Sequence, residues 1–295
     1  MSLNAKGLQK PFRKLRKSLK KFPKRPTPEQ VHDLRTSSRK LEAVMDALRL
    51  NGQRRGRCLL KAVAPIRKDA GKVRDMDVLT GFAATLTSQG EEECLVQLLE
   101  HIGAKRERSA RKLLKGIKDK RTKARKLLKD HAFIVDESFA APENETPELK
   151  DWPAHATATA LQLSRELASW PDLRHDNLHP YRLKIKELRY VLQLRDDPDD
   201  ELVSELGDAK DAIGEWHDWS ELEAIANKVL DHGRKCKVLQ QIHSTVGEKL
   251  DHAMSLTQSL RKRRLNPEQG DRSARKKSPV KLKEAVVITS AKLAA

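Results

Sequence analysis

The chain has 295 residues, enough for one large core or two small ones, and a formal net charge of +18. Residues 1–25 carry ten Lys or Arg and no acid, and residues 261–295 carry eleven against three acids, so the ends hold +10 and +8 and the body is net neutral. Bulk attraction to polyanions therefore belongs to the ends, and any anion site in the body has to come from patterning.

Residues 5–21 predict a first basic helix, with Leu8, Phe12, Leu15 and Leu19 on one face. Thr27-Pro28-Glu29-Gln30 is a strong start signal for the second: Thr27 caps, Pro28 suits the first helical position and Gln30 closes a capping box. Its apolar stripe is Val31, Leu34, Leu41, Met45 and Leu48, and Asn51-Gly52 ends it. A third helix is predicted over 54–70, a fourth over 73–88 after a break at Gly71, and a long, charged, largely solvated one over 91–131. The acidic stretch with Pro142, Pro147 and Pro153 reads as a linker, placed at 135–151. Further helices follow at 154–169, 178–195, 199–213, 216–231 and 234–263, and a basic, disordered tail at 261–295. No apolar run approaches a membrane span, and the first residues lack the apolar stretch of a secretory leader, so a soluble, cytoplasmic protein with no membrane partner is expected. Cys58, Cys94 and Cys236 are far apart and read as reduced packing residues.

The sequence repeats internally. V-H-D-L-R-T-S-S-R-K-L (31–41) lies over L-H-P-Y-R-L-K-I-K-E-L (178–188), placing His32 on His179, Arg35 on Arg182 and Arg39 on Lys186. G-K-V-R-D-M-D-V-L (71–79) lies over G-E-W-H-D-W-S-E-L (214–222), placing Gly71 on Gly214, Arg74 on His217 and Asp75 on Asp218; upstream, Arg67 falls on Lys210. Two homologous helical halves, about 5–134 and 152–260, explain both matches. His32, Arg35 and Arg39 share one helix face, as do His179, Arg182, Lys186 and Arg189, and each stripe borders the apolar one. Arg67 and Arg74, like Lys210 and His217, are seven apart and can face those stripes across a helix pair.

The repeated H-x-x-R-x-x-x-[RK] helix starts, with K-E-L-R-Y (186–190) and G-K-V-R-D-M-D-V-L, resemble the CHAD family, the conserved histidine α-helical domain, over residues 8–260. The resemblance implies an all-α fold of two helical-bundle halves built from long helices and related by pseudo-twofold symmetry. It also implies a central basic surface that binds inorganic polyphosphate, and association with polyphosphate granules. By motif, His32, Arg35, Arg39 and Arg74 are the implied first-half ligands and His179, Arg182, Lys186 and Arg189 those of the second. His217 departs from the pattern where the first half has Arg74.

Polyphosphate carries about one charge per interior phosphate and offers no base edge or carbon skeleton to read. Its binder needs many donors along a groove: forked Arg, point-charged Lys, and His, which donates when neutral and charges as pH falls. The bland alternative is that these stripes are solvated faces, with histidines that merely pack. His175 and His179 are spaced i, i+4, but no carboxylate or Cys completes a set, so neither metal nor cofactor is expected. There is no phosphate-binding glycine loop and no nucleophile elbow, and Asp75 and Asp77 point to different sides of one helix, so no enzyme is expected. Two other readings stay open: a nucleic-acid binder driven by the basic ends, weakly and without sequence preference, and an enzyme of polyphosphate or nucleotide metabolism.

Overall fold

A computed structural model describes residues 5–88, 90–140, 147–231 and 235–265. All of its regular structure is helical: α1 (Ala5–Lys20), α2 (Pro28–Ala47), α3 (Arg54–Ala83), α4 (Glu92–Ala140), α5 (Pro147–Ala168), α6 (His175–Leu192), α7 (Asp200–Val229) and α8 (Lys237–Leu260). A short 3-10 turn, Leu50–Gly52, joins α2 to α3, and a π-type turn, Arg261–Leu265, extends α8. The first five residues of the expected tail are thus helical, and residues 266–295 lie outside the described residues.

Local chemistry sets the starts. At α2, Gln30 N–H donates to Thr27 Oγ1 (3.4 Å) and Thr27 N–H donates to Gln30 Oε1 (2.9 Å), the reciprocal box the sequence spells. Asp199 caps α7 by accepting from Leu202 N–H at 2.9 Å. Leu8, Phe12, Leu15 and Leu19 of α1 are fully buried, so this basic segment is an integral part of the core.

Two expectations need correction. Residues 54–88 form one helix to Ala83, running through Pro65 and Gly71, and residues 199–231 form one helix running through Gly214. Both glycines lie under an arginine of another helix, and Gly214 is a tight packing position. The stretch read as a linker is helical at both ends, with α4 continuing to Ala140 and α5 starting at Pro147, where a proline suits the first position; residues 141–146 lie outside the described residues. The long helix α4, 49 residues and about 73 Å, is largely exposed, as its charge pattern predicts, and Cys94, Leu98, Ile102, Ala110, Leu113, Ile117, Ala124, Leu128 and Val135 make one buried stripe along it.

Within the first half α1 packs on α2 and α4, α2 on α3, and α3 on α4; within the second α5 packs on α6, α6 on α7, and α7 on α8. Across the halves α2 meets α6 and α3 meets α7, which are the helices that the repeat makes equivalent. The main core draws on every helix. A second core lies at the far ends of the α3–α4 and α7–α8 hairpins, where Met76, Leu79, Leu98 and Ile102 pack with Trp219, Leu222, Ile225 and Ile242. Phe82 and Trp219 stack there at 4.7 Å between ring centroids, joining α3 to α7. These cross-half contacts fix the α2–α6 seam on which the basic stripes lie.

Candidate anion-binding site

Because α2 packs on α6, their basic stripes converge. Burial pushes the Lys186 ammonium down to about 7, and Arg39, Arg35, Arg182 and Lys210 push it further in the same direction. The Arg39 guanidinium is also held below its usual value by burial, then by Arg67 and Arg35. Burial likewise lowers Arg182, against a pull from Asp218. Cations from α2, α3, α6 and α7 thus share one partly desolvated space, and their mutual repulsion is only part-compensated.

The halves build this space in the same way. Arg35 lies over Gly71, where a Cβ would sit 3.6 Å from its Nε, and Arg182 lies over Gly214, where a Cβ would sit 2.9 Å from its Cζ. Gly214 leaves the room that the Arg182 guanidinium needs, whereas at Gly71 a Cβ would meet Arg35 only at ordinary contact distance. Arg182 Nε donates to the Lys210 carbonyl at 3.1 Å, and Arg189 Nε to the Val203 carbonyl at 3.1 Å over Gly207. Arg35 Nη2 faces Asp75 at 3.8 Å, Arg67 pairs with Glu42 at 3.0 Å, and Lys210 Nζ pairs with Asp211 at 2.5 Å.

The histidines flank the cations. His32 lies at hydrogen-bonding distance from Thr36 Oγ1 (3.3 Å) and is held below its ordinary value by burial, then Arg74. The His179 ring sits 4.3 Å from the His217 ring and is lowered by burial, then His217. Arg74 and His217, equivalent in the repeat, therefore each approach the histidine of their own half. The His175 ring meets Trp216 edge-on at 4.9 Å. Two buried atoms of the stripes have no protein hydrogen-bond partner: Arg39 Nε and His179 Nδ1. A buried donor left unpaired costs about 1–3 kcal/mol, so this arrangement is tolerated best where something else supplies the acceptor.

Sequence reasoning missed several neighbours. Asp75 and Asp218 both lie against the stripes, pushed up by burial and pulled down chiefly by Arg35 and Arg182 respectively; their alignment in the repeat was the available signal. Tyr190, inside K-E-L-R-Y, lies under the Lys186 ammonium, 5.8 Å from its ring centroid. Tyr190 also lines a cavity of about 470 Å³ between α1, α2, α6 and the start of α7, with Lys10, Lys14, Ser37 and Lys40. Burial lowers Lys40, and Lys10, Lys14 and Arg189 add to it. Asp77, by contrast, turns away from the stripes and is buried against Arg106 Nε at 2.5 Å.

The fold is similar to that of PptA from Streptomyces chartreusis, at a TM-score of 0.56 and 19% identity, covering 87% of this chain and 96% of that one. No curated protein matches the chain. The CHAD domain matches residues 6–227, a span that takes in α1 to nearly the end of α7 and every residue of the converging stripes; the chain belongs to the CHAD domain family.

Proposed function

We propose that the chain binds inorganic polyphosphate in the seam between α2 and α6, with His32, Arg35, Arg39, Arg67, Arg74, His179, Arg182, Lys186, Arg189, Lys210 and His217 as its donors. The observation that carries this reading is the convergence of two matched cation stripes on a partly buried space containing unpaired Arg39 Nε and His179 Nδ1. A polyanion entering there supplies acceptors to both atoms and relieves the repulsion around Lys186. The interhelical position favours a thin chain of phosphates over a nucleic acid, whose bases or second strand need room beside the backbone. The Lys10, Lys14 and Lys40 cavity, reached past Tyr190, gives a long chain somewhere to continue. The pairing of α2 with α6 and α3 with α7 is what a pseudo-twofold axis through this seam produces. In this reading the protein binds without turnover and travels with polyphosphate granules, while the basic ends add loose attraction to any polyanion.

The test is Arg35→Ala, Arg182→Ala and the double variant, with Lys118→Ala as control because Lys118 is exposed on α4. A sheltered charge-assisted phosphate contact contributes about 1.5–3 kcal/mol, so each stripe variant should lose about tenfold or more in affinity. The double variant should lose much more while keeping its helical circular dichroism, and no variant or parent should release orthophosphate. Equal losses in the control and the stripe variants would reduce the site to diffuse positive charge.

A further inference from the structure

Away from the seam, at the end of the second core, three potential metal ligands meet. Glu91 precedes the first turn of α4, Cys94 lies in that turn, and Cys236 stands immediately before α8. One donor atom from each lies within 4.8 Å of the other two, and Cys236 Sγ is 3.4 Å from Glu91 Oε2. We propose that Glu91, Cys94 and Cys236 form a binding site for one thiophilic divalent ion of the zinc class.

The geometry fits such an ion. Tetrahedral zinc holds sulfur at about 2.3 Å and carboxylate oxygen at about 2.0–2.2 Å, so neighbouring ligand atoms stand about 3.5–3.8 Å apart. The separations here already approach that, and side-chain adjustment alone closes the difference. The donor set chooses the class of ion: two sulfurs and one oxygen suit zinc and other borderline-soft ions, and are poor for magnesium or calcium. Cys94 and Cys236 are almost completely buried within the apolar cluster of the second core, whereas Glu91 is partly exposed, so a fourth coordination position opens toward solvent on the Glu91 side. The carboxylate is held in place by Oε2, which accepts the Lys237 and Val238 N–H groups at 2.7 and 3.3 Å. This is how outer-shell contacts orient a ligand.

The competing explanation is that Glu91 only caps α8, for which Cys236 makes no side-chain cap bond, and that the thiols only pack. Without an ion the Cys94 and Cys236 thiols hydrogen-bond one another and Cys236 donates to Glu91; capping alone does not bring two thiols from hairpins of different halves to one carboxylate. Bound there, the ion ties the start of α4 to the start of α8 and so crosslinks the two halves at the end of the molecule away from the stripes. Metal-linked stability is the consequence.

The experiment uses the full chain, reduced and stripped of metal, titrated with Zn²⁺ against a chromophoric chelator and separately with Co²⁺. One ion per chain, thiolate-to-cobalt charge-transfer bands and a raised melting temperature are expected. Cys94→Ser and Cys236→Ser should abolish the bands, Glu91→Gln should weaken binding tenfold or more, and Cys58→Ser, at an exposed position, should change nothing. Were the serine variants at Cys94 and Cys236 to unfold, the cobalt spectrum of the Cys58→Ser chain decides by itself, since Cys94 and Cys236 are then its remaining thiols and histidine or tail binding gives no thiolate bands. The proposal is overturned if the unmodified chain takes up no zinc, if it binds cobalt without those bands, or if folded serine variants bind as tightly. A chain that refuses zinc but forms a Cys94–Cys236 disulfide on treatment with peroxide overturns it as well and marks a redox pair instead.

Discussion

Lys186 gives the binding proposal a pH dependence of definite sign. Burial, reinforced by Arg39, Arg35, Arg182 and Lys210, pushes its ammonium down to about 7. A phosphate chain laid over it restores the charged form, so binding above that pH takes up a proton and weakens as pH rises. If the bound lysine stays charged, affinity at about pH 8.5 should be about 30-fold lower than at about pH 6, because only about one free chain in 30 carries the charge at the higher pH. His32 and His179 are both held below their ordinary value by burial, so the free chain carries less charge on them than on ordinary histidines, and the Lys186 variants are what isolate the lysine's share of the slope. Isothermal calorimetry with long-chain polyphosphate reads it, and two buffers of different ionisation heat count the proton. Lys186→Met should flatten the slope, and Lys186→Arg should hold the acid-side affinity at high pH. The same shift acts on folding with its own sign: the unfolded chain keeps this proton up to the ordinary lysine value while the folded chain has lost it. Stability should therefore rise with pH from about 7 toward 10.5. A parent affinity that is flat across the window, or a Lys186→Met variant that keeps the slope, would refute the placement of Lys186 among the binding cations.

Three other outcomes test the packing behind the site. Gly214→Ala puts a Cβ against Arg182 and should displace the guanidinium, costing about 1–3 kcal/mol in stability by denaturant unfolding and weakening polyphosphate binding, whereas Gly71→Ala, with Arg35 Nε at 3.6 Å, should be tolerated. Arg106→Ala strands the buried Asp77 carboxylate and should cost about 3–5 kcal/mol in the same measurement, with little direct effect on binding. Arg16→Gln, Lys17→Gln and Lys20→Gln together remove exposed charge from α1 and should reduce nonspecific RNA binding in a salt titration, while truncation of residues 1–25 should unfold the chain because it removes Leu8, Phe12, Leu15 and Leu19 from the core.

What the sequence revealed and what it hid divide along one physical line. The Thr27–Gln30 box and the α1 stripe depend on residues a few positions apart, and both appear as read. The cation stripes depend on helical spacing, and the structure brings the two repeats of them together, partly buried, where α2 meets α6. Gly214 misled, because a glycine that makes room for an arginine on another helix looks the same in one dimension as a glycine that ends its own; Gly71 misled because the helix tolerates it in passing. Pro147 misled similarly: it opens α5, yet among acidic residues and other prolines it reads as a linker. Tyr190, Lys40 and Asp218 stayed outside the expected site because their roles come from which helices touch, and periodicity within one helix carries no such information. Cys94 and Cys236, 142 positions apart, meet only because two hairpins from different halves end together.

The charge distribution makes sense only when the ends and the seam are assigned different work. The body is net neutral, so its chain had enough acid to neutralise every cation in the seam. It pairs Arg67 with Glu42 and Lys210 with Asp211, sets Asp75 at a loose 3.8 Å from Arg35, and leaves Arg39 Nε without a protein partner. A seam selected for stability alone would complete those pairs or replace them with apolar side chains, since half-compensated buried cations are destabilising. The shortfall leaves cations in excess inside a neutral body, where salt screens them less than it screens the exposed cations of α1. Long-range attraction then resides in segments that salt can switch off, and retention in a space between helices that it reaches poorly. A thin polyanion is the kind of ligand that can use both.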